Sequence, residues 1–245
     1  MAKQVALYKL PENLETARVL DDSVLGAYND SIQPFSEKAR QTLGRFNRAD
    51  GDLTGSNSFM LVYLQNAGLF PSGARLAGRK ELETSVSFDG SFLRENYTDF
   101  GLALENAGDS YAPNDLLAKK LAEQLKQRRI SLEKGKLIPL TALKLVQDLD
   151  SKYGLVFELS EQAEKGNIQD LDDFKWNYTR NNGLARAYLD RCDWDSYSEY
   201  LEYSNGNGRV VLVSAEGTSQ NFLQEQLAKL QKIKDKEMSQ IQKRY

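Results

Sequence analysis

Histidine is absent from the 245-residue chain. That removes Ser-His-Asp and Cys-His nucleophile pairs and every zinc site built on imidazole, because no other side chain titrates near neutrality without perturbation. Any catalysis would rest on carboxylates, lysine or tyrosine. A single cysteine, Cys192, excludes an internal disulfide framework and a four-cysteine zinc site, and it fits a reducing cytoplasm. No apolar run approaches the ~20 residues of a membrane span. Met1 to Leu10, followed by Pro11 and Glu12, lacks the apolar stretch and cleavage site of a secretory signal. Excess positive charge is lacking as well: 32 Lys and Arg against 35 Asp and Glu leave a net charge of -3, which argues against broad, phosphate-driven nucleic-acid binding.

Phosphate loops are missing too. Gly135-Lys136 lacks the glycine spacing of one, and Gly206-Asn207-Gly208 precedes the apolar run Arg209 to Val213, where a phosphate-binding turn would follow its strand. Asp50-Gly51-Asp52 offers too short a run of oxygens for a calcium loop. No cofactor and no metal are expected.

What is present describes a soluble globular chain, 40% hydrophobic and 27% charged, with a mean hydropathy of -0.57. Val5 to Leu10 reads as a strand. Leu14, Ala17, Leu20, Val24 and Tyr28 recur at helical spacing after Pro11, and Phe35, Ala39, Leu43 and Phe46 do so after Pro34. Asn47 to Ser58 is read as a loop, and Phe59 to Leu64 as a buried run of either type. Leu82, Thr84, Val86 and Phe88 alternate before Asp89-Gly90, which predicts a hairpin, and Phe100, Leu102 and Leu104 alternate again, so the middle third reads as an antiparallel meander. Helices are expected after Pro113, with Leu117, Leu121 and Leu125 on one face, and after Pro139, with Leu140, Leu143, Val146 and Leu149. Strands are expected at Leu155 to Leu159 and, centrally, at Arg209 to Val213. From Thr218 to Tyr245 an amphipathic helix is expected to pack on the domain or pair with a second copy in self-association. The fold class is α+β: early helices and a small antiparallel sheet in one domain over 1–217, followed by a C-terminal helix over 218–245.

Composition changes most sharply between Asn177 and Asn207. Of these 31 residues 17 are Asn, Tyr, Asp, Ser or Cys, and Trp176 and Trp194 lie beside and within them. Rigid aromatics mixed with small polar residues make the composition of a paratope. Trp176, Leu184, Ala187, Leu189, Trp194 and Leu201 form an apolar frame through the segment. A short helix is expected at Leu184 to Leu189, and loop or irregular strand from Asp193 to Asn207, where Asn, Asp and Ser compete for their own backbone.

The segment resembles the variable proteins of diversity-generating retroelements, in which error-prone copying at adenines rewrites Asn codons to Asn, Tyr, Asp, Ser, Cys and a few others. The resemblance implies a C-type lectin-like fold and a ligand-binding display function, with one exposed surface for a protein or other macromolecular ligand. On this chain that surface would comprise Tyr178, Asn181, Asn182, Tyr188, Asp190 and Asp193. Asp195, Tyr197, Tyr200, Tyr203, Asn205 and Asn207 would complete it, over buried Trp176, Leu189, Trp194, Leu201 and Val211. Two other functions stay open: an interaction or structural protein whose polar region is not diversified, and a hydrolase using Asp190, Asp193, Asp195 and Glu199 as acid and base.

Overall fold

The computed structural model describes residues 16–49, 52–88, 95–105, 114–161, 163, 165–171, 183–190, 193–198 and 200–214. The expected strand at Val5 to Leu10, the Asp89-Gly90 turn and the C-terminal helix at 218–245 lie outside them.

The first strand, β1 (Thr16–Val19), is followed by α1 (Leu25–Ser31), α2 (Glu37–Leu43), the hairpin β2 (Asn47–Ala49) and β3 (Asp52–Thr54), and α3 (Ser58–Asn66). Next come β4 (Ala74–Leu76), α4 (Arg79–Phe88), β5 (Tyr97–Leu104), α5 (Asp115–Gln127) and β6 (Lys136–Pro139). The chain then forms β7 (Leu143–Gln147), β8 (Leu155–Leu159), β9 (Gln169–Asp170), β10 (Leu184–Asp190), β11 (Asp193–Ser198) and β12 (Val211–Ser214). All strand pairing within these sheets is antiparallel: a three-stranded sheet ordered β1-β12-β4, a five-stranded sheet ordered β11-β10-β5-β6-β9, and the hairpins β2-β3 and β7-β8. This is an α+β protein with small antiparallel sheets.

Both larger sheets divide their side chains between two apolar clusters. Leu102, Leu104, Ile138, Leu184, Val210 and Leu212 join the larger one, which includes buried residues of α1, α2, α3, α5 and the β7-β8 hairpin. Phe100, Ala103, Leu137, Ala187, Leu189, Val211 and Val213 join the smaller, with Leu82 of α4. The run Phe59 to Leu64 is a helix buried on every side, as expected of a segment apolar all round. Its start is set by Asn57, whose Oδ1 accepts from the Met60 N–H at 2.7 Å while its Nδ2 donates to the carbonyls of Thr42 and Glu202. Replacing Asn57 by alanine removes the cap and strands those buried carbonyls, and a loss of about 2 kcal/mol is expected in urea unfolding.

Four expectations are corrected. Thr16–Val19 is a strand, because it pairs with β12; the expected helix begins only after Leu20. Arg79–Phe88 is a helix in place of a hairpin strand. The Glu81 carboxylate accepts from the Gly78 N–H at 2.7 Å, as in a capping box, and Arg79 pairs with Glu83 one turn on. After Pro139 a single 3-10 turn leads into β7, because the apolar strand Leu155–Leu159 supplies a partner. The supposed helical stripe is buried only at its start: Leu140 and Leu143 lie in the core, whereas Val146 and Leu149 are exposed, Leu149 at 76%. Asn47 to Thr54 contains the β2-β3 pair instead of a plain loop.

Candidate binding site

The fifth correction lies at the site. Leu184–Asp190 is a strand, not a helix, despite its Leu-Ala-Arg-Ala sequence, because it fills the slot between β5 and β11. Its pairing with β5 skips one residue: Ala187 stands opposite Gly101 but Tyr188 opposite Asp99. Phe100 is the bulged residue. Strict alternation back from Leu104 and Leu102 would put Phe100 on the larger-cluster side, yet it packs in the smaller cluster with Ala103. The bulge thus returns Asp99 to the side that carries Leu102 and its register partner Arg186. On β11 the register shifts at the same place, Arg186 opposite Ser198 and Tyr188 opposite Asp195.

Arg186 is 2% exposed and Asp99 3%. The guanidinium Nε donates to Asp99 Oδ1 at 2.7 Å and Nη2 to Oδ2 at 2.6 Å, a bidentate pair. Nη2 also donates to the Ser56 carbonyl at 3.3 Å and Nη1 to the Tyr203 carbonyl at 2.9 Å. Ser56 Oγ donates to Asp99 Oδ2 at 2.6 Å, giving the carboxylate a further partner. The guanidinium carbon lies 5.0 Å from the Tyr97 ring centroid, 4.8 Å from that of Tyr188 and 6.0 Å from that of Tyr203. Burial alone would push Arg186 down, but the Asp99 charge and its hydrogen bonds more than offset this and hold the guanidinium above its ordinary value. Burial, reinforced by Asp99, pushes the Tyr97 hydroxyl up, so it stays a neutral donor, here to the Ser56 carbonyl.

The chain from Tyr200 to Gly208 is stitched to this hub. Ser56 N–H donates to Ser204 Oγ, Asn205 N–H to the Tyr97 hydroxyl, Tyr97 N–H to the Asn207 carbonyl and Gly55 N–H to the Gly208 carbonyl, all at 2.9–3.2 Å. Asn205 Oδ1 accepts from Asn207 N–H at 2.8 Å and Leu201 is fully buried, so the loop is held by backbone bonds, the short side chains of Ser204 and Asn205, and one apolar anchor. Its two tyrosines are left to solvent: Tyr200 is 62% exposed and Tyr203 50%.

Between the loop and the strands lies an open cavity of about 380 Å³, lined by Glu95, Tyr97, Arg186, Tyr188, Asp190, Tyr200, Tyr203, Asn205 and Asn207. Six residues expected on the recognition surface therefore meet there: Tyr188, Asp190, Tyr200, Tyr203, Asn205 and Asn207. Asp193 is the register partner of Asp190, Asp195 of Tyr188 and Trp194 of Leu189, and Tyr197 lies further along β11. Tyr178, Asn181, Asn182, Trp176 and Glu199 lie outside the described residues. Leu189, Leu201 and Val211 are buried at 1%, 0% and 2%.

Sequence reasoning missed Glu95, Tyr97, Asp99, Ser56 and Arg186. The signal for two of them was present: a carboxylate inside the apolar run Tyr97–Leu104 and a cation between two alanines in an otherwise apolar frame each demand a buried partner. No group of three or more Cys, Asp or Glu able to hold a metal occurs among the described residues, and none of the described helices is long and apolar enough to cross a membrane. The chain matches no protein-family model, no curated protein and no solved structure.

Proposed function

We propose that the chain is a ligand-binding display protein, similar to the variable proteins of diversity-generating retroelements in a C-type lectin-like fold, and that the cavity is part of its diversified recognition surface. The observation that carries the proposal is the convergence of Tyr188, Asp190, Tyr200, Tyr203, Asn205 and Asn207 on one open cavity. These residue types come from the set that adenine-directed copying produces, and they stand over a frame whose fixed points are elsewhere: the Arg186–Asp99 pair, Leu189, Leu201 and the backbone of the Tyr200–Gly208 loop. Altering buried positions costs about 1–5 kcal/mol each, so only a surface of this kind tolerates wholesale exchange. The ligand is a protein or another macromolecule, because the cavity is open and Tyr200 and Tyr203, which line it, also present much of their surface to solvent.

A library of the full chain randomised at these six positions tests the reading. Most members are expected to stay folded, substitutions at the exposed Tyr200, Tyr203 and Asn207 shifting stability by within about 0.5 kcal/mol each and those at the half-buried Tyr188, Asp190 and Asn205 by about 1 kcal/mol, and selection against unrelated proteins is expected to return different binders. A library that is mostly unfolded, or that yields no binders, contradicts it. A single double variant makes the same point on a smaller scale. Tyr200→Ala with Tyr203→Ala is expected to leave the urea midpoint nearly unchanged while abolishing binding of any target selected with the parent chain.

A further inference from the structure

We propose, resting on the reading of this cavity as the recognition surface, that in this chain it seats a cationic side chain, a lysine or arginine, presented by a protein ligand. Four tyrosines, Tyr97, Tyr188, Tyr200 and Tyr203, contribute to its lining; Arg186 already lies over three of them, but the exposed Tyr200 ring is not among these, and aromatic rings attract a cation over a free face. Two carboxylates, Glu95 and Asp190, line the same space, and among the described residues neither is paired with a cation. Among the described residues the one positive group in the lining is spent: Arg186 is 2% exposed, and its charge is delivered into Asp99 through two hydrogen bonds. Among the described residues the formal balance is three carboxylates (Glu95, Asp190, Asp99) against one guanidinium, which leaves two negative charges facing a concave, ring-lined space. Asn207 adds an amide acceptor to the lining for the remaining N–H donors of a guanidinium or ammonium, and Asn205 Oδ1 keeps a second lone pair beyond the one taken by the Asn207 N–H. At about 380 Å³ the cavity is at the small end of the roughly 300–1,000 Å³ of ligand pockets, room for one long side chain whose apolar stem lies along the rings. Glu95 and Tyr97 belong to a segment remote in sequence from the Asn177–Asn207 stretch, so part of this preference is built into the frame and would be shared by sister variants.

The test uses the full chain with ring-labelled tyrosine, titrated with N-acetyl-arginine amide and, in parallel, with the uncharged isostere N-acetyl-citrulline amide and with methyl glucoside, followed by the tyrosine NMR signals. Arginine amide is expected to move the Tyr188, Tyr200 and Tyr203 signals in a saturable way, and citrulline amide at least fivefold less. Asp190→Asn and Glu95→Gln should each weaken arginine amide about two- to fivefold, the worth of a partly exposed ion pair. Tyr203→Phe should keep the affinity while Tyr203→Leu lowers it by a similar factor. Equal responses to arginine and citrulline, a stronger response to the glucoside, or no response to arginine overturns the proposal. None of these outcomes touches the display reading, which stands or falls on the randomised library. Saturable arginine binding alongside a library that fails to fold would leave a fixed cation-binding site in place of a diversified one.

Discussion

Replacing Arg186 by methionine is expected to destabilise the protein by about 3–5 kcal/mol, the largest effect of any single substitution considered. The loss does not measure how much the ion pair stabilises the fold. It measures the cost of leaving Asp99, 3% exposed, as a buried carboxylate with only Ser56 and its backbone neighbourhood for company. The Tyr203 carbonyl loses its guanidinium donor at the same time, and the Ser56 carbonyl keeps only the Tyr97 hydroxyl, so the Tyr200–Gly208 loop is expected to loosen along with the sheet. Adding Asp99→Leu to Arg186→Met removes the stranded charge and should recover much of the loss in urea unfolding, though not all, because the Tyr203 carbonyl still lacks the guanidinium donor. If the single variant lost under 1 kcal/mol, or the double variant were no better, the hub would not be the support described.

Gly208→Ala is expected to cost about 3 kcal/mol, at the upper end of what overpacking costs. A Cβ at this position would lie 2.5 Å from the Ser56 nitrogen, 2.8 Å from the Gly55 carbonyl carbon and 3.0 Å from the Tyr97 hydroxyl. Two of these are backbone atoms of a segment in which every residue from Leu53 to Leu64 is buried, so neither can swing aside as a flexible side-chain end would. The displaced groups are the ones that hold the loop: Gly55 N–H to Gly208 O, and the Tyr97 hydroxyl that takes the Asn205 N–H. Gly206→Ala is the control, because its Cβ would meet nothing within 4 Å, and it is expected to be close to neutral. Comparable losses at Gly206 and Gly208 would mean that the close approach at Gly208 is not what fixes the loop.

The α+β class, the helices α2 and α5, and the strands β5, β8 and β12 are legible in the sequence, because each rests on a local apolar period with a clear stop. β7 and β10 are not. Leu140, Leu143, Val146 and Leu149 satisfy a helical period, and Leu184 to Leu189 has helix-forming residues, but in both places a partner strand remote in sequence overrides the local preference. The candidate site divides in the same way. Tyr188, Asp190, Tyr200, Tyr203, Asn205 and Asn207 are visible as residue types in a biased stretch. The groups beneath them are not, because Asp99 and Arg186 are 87 residues apart and meet only through a bulge at Phe100 that breaks the alternation of β5. Composition reports what a surface is made of; register decides what it is built on.

The central claim is that the cavity-lining side chains are exchanged while their support is kept, and sequencing this segment from many individuals of the source population tests it most directly. Substitutions are expected to gather at the codons of Tyr188, Asp190, Tyr200, Tyr203, Asn205 and Asn207, to leave Leu184, Arg186, Ala187, Leu189, Leu201 and Gly208 unchanged, and to match a nearby template copy differing at adenines beside a reverse transcriptase. Substitutions spread evenly over the segment, or reaching Arg186 and Gly208 as often as Tyr200 and Asn207, with no such template in the genome, would contradict it.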